Sequence, residues 1–315
     1  MNYRELGGTG IRVSEVGFGA WTIGSGMYGN VSVEEGIKMI RRALDLGINV
    51  FDTADVYGNG ESERLLGRVL RGYDVYIFTK VGYDIYSGTH GQNFRPDYIE
   101  YAVRKSLERL GLRRLTLLQL HNPPLRVIRD KEVRSVMRRL VEEGLVEHVG
   151  VALGPETNVL NEGLAALEEG YETIMFVFNA LEQEPGRTLI SEGLRFNAGL
   201  MTRVPHASTA LNERFMVEFP KTDHRSLRSK EWLMRTREFV EKRLRPIARG
   251  LGLTLDAFAI KYVLSYPIST VFITATDTNE LETYVRAADG NYLDQETLRK
   301  LEELYGEFQS LVSEP

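Results

Sequence analysis

Cysteine is absent from the 315 residues. That absence removes disulfides, zinc–thiolate centres and thiol catalysis from consideration. Also missing is any apolar run approaching the roughly 18–20 residues that a membrane-spanning helix needs, so no membrane partner is expected. The opening stretch MNYRELGGTG has no basic segment followed by an apolar core and does not read as a secretory signal. With the lack of cysteine, this gives a cytoplasmic expectation. A surplus of positive charge is lacking too: 39 Lys and Arg stand against 44 Asp and Glu, a net charge of −5. Nucleic-acid binders are usually basic, so no nucleic-acid partner is expected. No spacing of His, Asp and Glu suggests a metal site. Low-complexity tracts are absent, and oligomeric state is left open.

What remains is an ordinary globular composition, 43% hydrophobic and 26% charged. Short apolar runs alternate with amphipathic stretches almost throughout. EVGFGAW, NVFDTA, DVYIFTKVG, LTLLQLHN, VEHVGVALG, TIMFVFNAL, LMTRVPHAS and TVFITAT read as strands. Each is followed by a segment of helical period, such as VEEGIKMIRRALDLG (33–47) with its glycine stop. Near-continuous apolar strands are those of a parallel sheet covered by helices. Eight such units can close on themselves, which predicts a (β/α)8 TIM barrel forming one domain over 1–315. Three segments lie outside the units. YRELGGTGIRVSE predicts a hairpin turning at Gly7–Gly10 that caps the bottom of the barrel. Residues 209–248 predict an inserted loop and helix before the last unit, rich in Arg, Lys and Glu and read as a solvated surface feature. A C-terminal helix is expected near 294–311.

Barrel chemistry gathers at the C-terminal ends of the strands. The second strand ends in Asp52, with Asp55 and Tyr57 after it; the third ends in Lys80; the fourth ends in His121 and Asn122. Each has an ordinary reading alone: a turn-capping carboxylate, a snorkelling lysine, a satisfied core histidine. Together, buried Asp and Lys imply pairing, since a lone buried charge costs several kcal/mol. Lys80 held charged by Asp52 would lower the Tyr57 pKa from about 10. Tyr57 would then donate a proton to a developing alkoxide, with His121 bonding the same oxygen. Protonation of a carbonyl oxygen needs hydride from a cofactor, because no side chain supplies it. The same lysine leaves a Schiff-base lyase open as a distant alternative.

LGGTGIRVSEVGFGAW, GINVFDTADVYGNGESERLLG, FTKVG, KSLERLG, LLQLHNP, HVGVALGPE and VFNALEQEP resemble the aldo-keto reductase family over nearly the whole chain. The resemblance implies a (β/α)8 barrel with a hairpin over its base and reversible, NAD(P)H-dependent reduction of an aldehyde or ketone to an alcohol. It puts the catalytic set on Asp52, Tyr57, Lys80 and His121, with Tyr57 as general acid and Asp55 shaping the loop. Gly19, Trp21, Asn179, Arg203, Thr274, Thr276 and Thr278 would meet the cofactor, NADP(H) or NAD(H). Trp21, Tyr83, Tyr86, Phe94 and Asn122, with His90 in the same loop, would line the pocket of a small-molecule carbonyl substrate.

The cofactor half departs from the family pattern. Ala152 and Leu153 stand where Ser and Asn usually bond the nicotinamide carboxamide, Met175 where a Gln completes that set, and Arg203 where an aromatic ring often stacks. After the eighth strand, Thr274 and Glu280 replace the basic residues that grip a 2′-phosphate, and Asp277 and Glu280 would repel that dianion. Backbone amides of the last helix would hold the pyrophosphate, assisted by the threonine hydroxyls. Arg225 and Arg228 of the insertion are read first as surface residues, with reach to the cofactor phosphates as the alternative. These changes motivate a second reading, a dinucleotide-binding redox sensor or partner subunit with little turnover.

Overall fold

Eight parallel strands close on themselves, as the eight strand–helix units predict. The computed structural model describes residues 1–26, 28–29, 31–88, 91–154 and 158–313, so His90 lies outside the described residues. The barrel runs β3 (Val16–Gly19), β4 (Val50–Asp52), β5 (Tyr76–Val81), β6 (Leu115–His121), β7 (Val146–Ala152), β8 (Thr173–Val177), β9 (Gly199–Arg203) and β10 (Thr270–Ile273), and β10 pairs back onto β3. The crossover helices are α1 (Val33–Asp45), α2 (Glu61–Val69), α3 (Pro96–Leu110), the short α4 (Leu125–Ile128) with α5 (Lys131–Glu142), α6 (Val159–Glu168) and α7 (Gly186–Arg195). Their limits follow local chemistry. Ser32 caps α1 by accepting from Glu35 N, Asp130 caps α5, and α3 stops at Gly111 in a left-handed conformation.

Before closure stands an antiparallel hairpin, β1 (Tyr3–Glu5) and β2 (Arg12–Ser14), turning through Gly7–Gly10 as expected. Its Leu6, Ile11 and Val13 are buried with Val50, Phe78, Leu117, Met175, Met201 and Phe272 in a cluster separate from the main core. Those strand residues point into the barrel, so the hairpin plugs its N-terminal end. The larger cluster lies between the outward strand faces and the helices.

The insertion corrects the solvated reading. It runs through α8 (Lys230–Phe239), a π-turn at Val240–Leu244 and α9 (Arg245–Gly250), and then α10 (Leu255–Leu264) leads to β10. Pro246 opens α9; a proline has no N–H for the preceding turn, and the widened π-turn accommodates that loss. The exposed face carries the expected ion pairs, among them Lys242–Glu238 and Arg245–Glu241. Its other face is buried: Leu233, Val240 and Leu244 are nearly inaccessible, and Phe239 meets Phe308 of α12 (Gln295–Ser313) at 5.2 Å. The loop before α8 is buried at Asp223 and Arg225. α11 (Thr278–Arg286) is the helix that follows β10.

Candidate active site

Side chains alternate along a strand, so the residues two beyond the inward apolar layer also face the barrel axis, one layer nearer its C-terminal mouth. That parity brings in Asp52 after Val50, Lys80 after Phe78, Gln119 and then His121 after Leu117, Arg203 after Met201, and Thr274 after Phe272. Lys80 Nζ donates to Asp52 Oδ2 at 2.5 Å and to Thr53 O at 2.7 Å, and Gln119 Nε2 donates to Asp52 Oδ1 at 3.2 Å. Both members of the ion pair are buried. Burial works to lower the Lys80 pKa, but Asp52 and Tyr57 outweigh it and the ammonium is held above its ordinary range. Burial pushes Asp52 upward against the pull of Lys80 and Gln119. Lys80 therefore sits in the mouth as a charged, immobile donor.

Tyr57 arrives from the loop after β4. Gly58 beside it has φ +59, and a Cβ there would come within 2.1 Å of Gly24 O, so the turn that presents Tyr57 needs a glycine. Lys80 Nζ lies 5.1 Å from the centre of the Tyr57 ring, and the His121 ring meets it edge-on at 5.9 Å. The expected depression of the Tyr57 pKa is not what the surroundings produce. Burial raises it, and Lys80 and Arg203 only moderate the rise. Burial, Lys80 and Arg203 together push His121 well below its ordinary range, so its imidazole is neutral.

Beneath this group, Asp55 is fully buried, and neither carboxylate oxygen has a hydrogen-bond partner among the described residues. Burial and the nearby Glu63 push its carboxyl well above the usual range. Glu63 itself accepts from Thr79 Oγ1 and Arg109 Nε, both at 2.6 Å. Ser62 bonds Thr53 and Ala20 O, tying α2 to the strand ends.

The substrate-side residues divide. Tyr83 meets His121 edge-on at 5.1 Å, and its hydroxyl accepts from Asn122 Nδ2 at 3.2 Å, so both stand at the mouth. Trp21 lies 6.3 Å from the Tyr57 ring. Phe94 packs over Gly82 against the core. Tyr86 is held on α3: its hydroxyl accepts from Arg109 and its ring meets Tyr98 and Tyr101.

The cofactor-side residues are largely committed to the protein. Asn179 Nδ2 donates to Glu182 and Val204 O, while its Oδ1 accepts from Leu181 N and Glu182 N, so its amide braces its own loop. Thr276 gives its N–H and hydroxyl to Glu280, and Thr278 gives both to Glu35. The Thr276 and Thr278 amides and hydroxyls expected to be available for a pyrophosphate are thus already bonded to carboxylates. Gly19 ends β3 against β10, where a Cβ would stand 2.8 Å from Ile273 O and near Thr274. Ala152 and Met175 face the barrel interior, whereas Leu153 packs outward into the main core. Arg203 is the substitute polar group there. It donates Nη2 to Leu153 O at 2.9 Å and has no carboxylate partner among the described residues. Burial lowers its pKa.

Three participants carry no clear mark in the sequence. Gln119 is legible only through its parity with His121. Tyr28 and His224 come from loops without periodicity, yet their rings flank Trp21 at 5.5 and 5.0 Å. Beyond Trp21 opens a cavity of about 560 Å³, lined by Tyr28, Gly29, Asn212, Phe219, Arg225 and Glu280 among others. Buried residues of the insertion line this cavity. Asp223 accepts from Gly29 N at 2.9 Å, and Arg225 lies between the rings of Tyr28 and Phe219 at 4.1 and 4.5 Å. Arg228 bonds Glu182 instead. Tyr57 is not among the residues lining this cavity; Trp21 stands between, its ring near both Tyr57 and Tyr28.

A barrel with this hairpin, this buried Asp–Lys pair and this tyrosine matches the profile of the aldo/keto reductase family over residues 15–306. The chain belongs to that family. Similar proteins include the uncharacterized oxidoreductase YqkF of Bacillus subtilis, 27% identical over 312 residues and 96% of each chain. A probable voltage-gated potassium channel subunit beta of Oryza sativa is 27% identical over 92% of each chain. Among solved structures, the holo form of aldo-keto reductase AKR11C1 from Bacillus halodurans superposes with a TM-score of 0.79 at 26% identity, covering 96% of each chain. The family is one of oxidoreductases that use nicotinamide cofactors. No helix among the described residues is long and apolar enough to cross a membrane. Those residues hold no group of His, Asp and Glu that could bind a metal ion.

Proposed function

We propose that this aldo/keto reductase reduces an aldehyde or ketone to an alcohol with NAD(P)H, reversibly, and that Tyr57 donates the proton. The observation that carries the reading is the placement of Tyr57 beside the Lys80 ammonium and the His121 ring at the mouth, with a separate hollow beyond Trp21. A bound reduced nicotinamide supplies the hydride. Trp21, Arg203 and the residues lining the hollow, Tyr28 and Phe219 among them, would hold the dinucleotide. The hollow offers aromatic surface in Tyr28 and Phe219. At the carboxamide the fit depends on Arg203, whose planar guanidinium keeps N–H groups to spare beyond the one bonded to Leu153 O.

Tyr57 needs no depressed pKa for this task. Raised by burial, it stays protonated throughout the neutral range and is always ready as a donor. As negative charge develops on the carbonyl oxygen, its proton moves there, and the phenolate left behind is stabilised by the Lys80 cation in a poorly solvated site. The neutral His121 fixes the same oxygen without competing for the proton. Asp52 acts through Lys80, holding it charged. That charge also argues against Schiff-base chemistry, which requires a neutral amine.

Tyr57→Phe tests the assignment. Turnover of a carbonyl substrate should fall by about 10²–10⁴-fold while dinucleotide affinity stays near that of the parent. Turnover close to the parent rate would refute the role of Tyr57. The second reading, a sensor or partner subunit, is favoured by apolar Ala152 and Met175 inside the barrel where the family pattern has polar residues, and by the channel-subunit name of one relative. A panel of aldehydes and ketones separates the two: tight dinucleotide binding with no turnover on any of them would select the sensor.

A further inference from the structure

Two arginines, Arg214 and Arg225, and two carboxylates, Asp223 and Glu280, line the hollow beyond Trp21, but they are not paired with one another evenly. Arg225 donates Nε and Nη2 to Asp223 at 2.9 and 2.7 Å. Arg214 is ion-paired with Asp277. Two cations thus neutralise two carboxylates, and Glu280 is left with no cation bonded to it among the described residues. It is held by neutral donors instead. Its Oε2 accepts from Thr276 N at 2.7 Å and Thr276 Oγ1 at 2.9 Å; its Oε1 accepts from Asn212 Nδ2 at 3.2 Å and from the Tyr284 hydroxyl. A carboxylate offers about four lone-pair sites, and here all are used. Tyr284 is itself buried and stacked on His206 at 4.1 Å, so the support is rigid. Glu280 can neither swing out of the wall nor acquire a counter-ion without breaking this set.

We infer that the hollow selects a dinucleotide whose adenosine ribose carries a free 2′-hydroxyl and rejects one bearing a 2′-phosphate, with Glu280 as the specificity-determining residue. The inference rests on the dinucleotide reading above and deepens it from NAD(P)H to NADH. With the nicotinamide beside Tyr57, the adenosine half is the part that enters the hollow. Any phosphate there lies well inside one Debye length, about 8 Å, of the surplus carboxylate across low-dielectric wall. A hydroxyl brings no charge and meets no such penalty. The two arginines at the wall are each already neutralised by a bonded carboxylate, Arg225 by Asp223 and Arg214 by Asp277, so neither offers an uncompensated charge to a 2′-phosphate.

Titration of the full chain with NADH and with NADPH, followed by quenching of intrinsic fluorescence, tests this. NADH should bind at least about ten-fold more tightly. Glu280→Gln should bring the ratio toward unity. Because its amide would turn N–H groups toward donors, that variant is checked by circular dichroism, and Asp277→Asn gives an independent arm. Asparagine caps a helix as well as aspartate does, so α11 keeps its cap while Arg214 loses its carboxylate. NADPH affinity should rise several-fold and NADH affinity should not move. Equal or tighter binding of NADPH by the parent chain overturns the inference and leaves the dinucleotide reading intact. An unchanged ratio in folded Asp277→Asn also overturns it. Failure of both nucleotides to bind would refute the dinucleotide reading itself.

Discussion

Between β4 and β6 the charged groups at the mouth are bonded to one another: Lys80 to Asp52, Asp52 to Gln119, with Tyr57 and the neutral His121 gathered around the cation. Between β7 and β10 the inward side chains include Ala152, Met175, Arg203 and Thr274, and their one cation is tied only to a backbone carbonyl. Both regions come from the same strand geometry. The first is complete in itself, because a buried charge pair has to be satisfied before any ligand arrives. The second has a cation with N–H donors not used by the described residues.

The sharpest way to break that contrast is Lys80→Met. It leaves Asp52 buried without its partner, and stability should fall by about 3–5 kcal/mol in urea denaturation. Adding Asp52→Asn should restore part of the loss; no restoration would mean that the pair is not coupled. Arg203→Leu probes the other half. Dinucleotide affinity should weaken by about ten-fold while the urea midpoint moves little, since no ion pair is lost. An equal effect on stability would show that the two halves are built alike. Asp55→Asn is the mildest of the three. The folded chain holds the Asp55 proton well above the ordinary carboxylate range, whereas the unfolded chain releases it near pH 4. Stability linked to that proton is full below about pH 4 and declines as pH rises toward the folded value. The asparagine variant has no proton to release, so its melting temperature relative to the parent should climb across that window. A constant offset from pH 4 to 8 would contradict the raised value.

The contrast also explains what could be read in advance. Asp52, Lys80 and His121 each follow an apolar run, so their convergence is visible in period-two parity alone, as is the eightfold strand–helix rhythm. The direction of the Tyr57 shift was not visible, because it depends on how much water the folded mouth excludes. The same blindness made the insertion look solvated: its Arg and Glu residues are plain in the sequence, but the burial of Asp223 and Arg225 arises only when that loop folds over Gly29. Thr276 and Thr278 were recognised as hydroxyls near the last helix, but not as groups already bonded to Glu280 and Glu35, partners 4 and 243 residues away. Leu153 looked like a cofactor-side position until strand parity turned it outward.

Arg4, in the first strand of the hairpin, gives its guanidinium to the carbonyls of Leu264, Tyr266 and Ile268 and to Glu15. Three of those acceptors lie some 260 residues downstream, between α10 and the strand that closes the barrel. On a ribosome this has a temporal meaning. The hairpin is made first but has nothing to plug until β9 and β10 emerge, so its apolar face waits uncovered through most of synthesis. Contacts of such span form late and slowly. The clasp that seals the bottom of the barrel is therefore also a signal of completion: it can shut only on a chain that has been read through to its eighth unit.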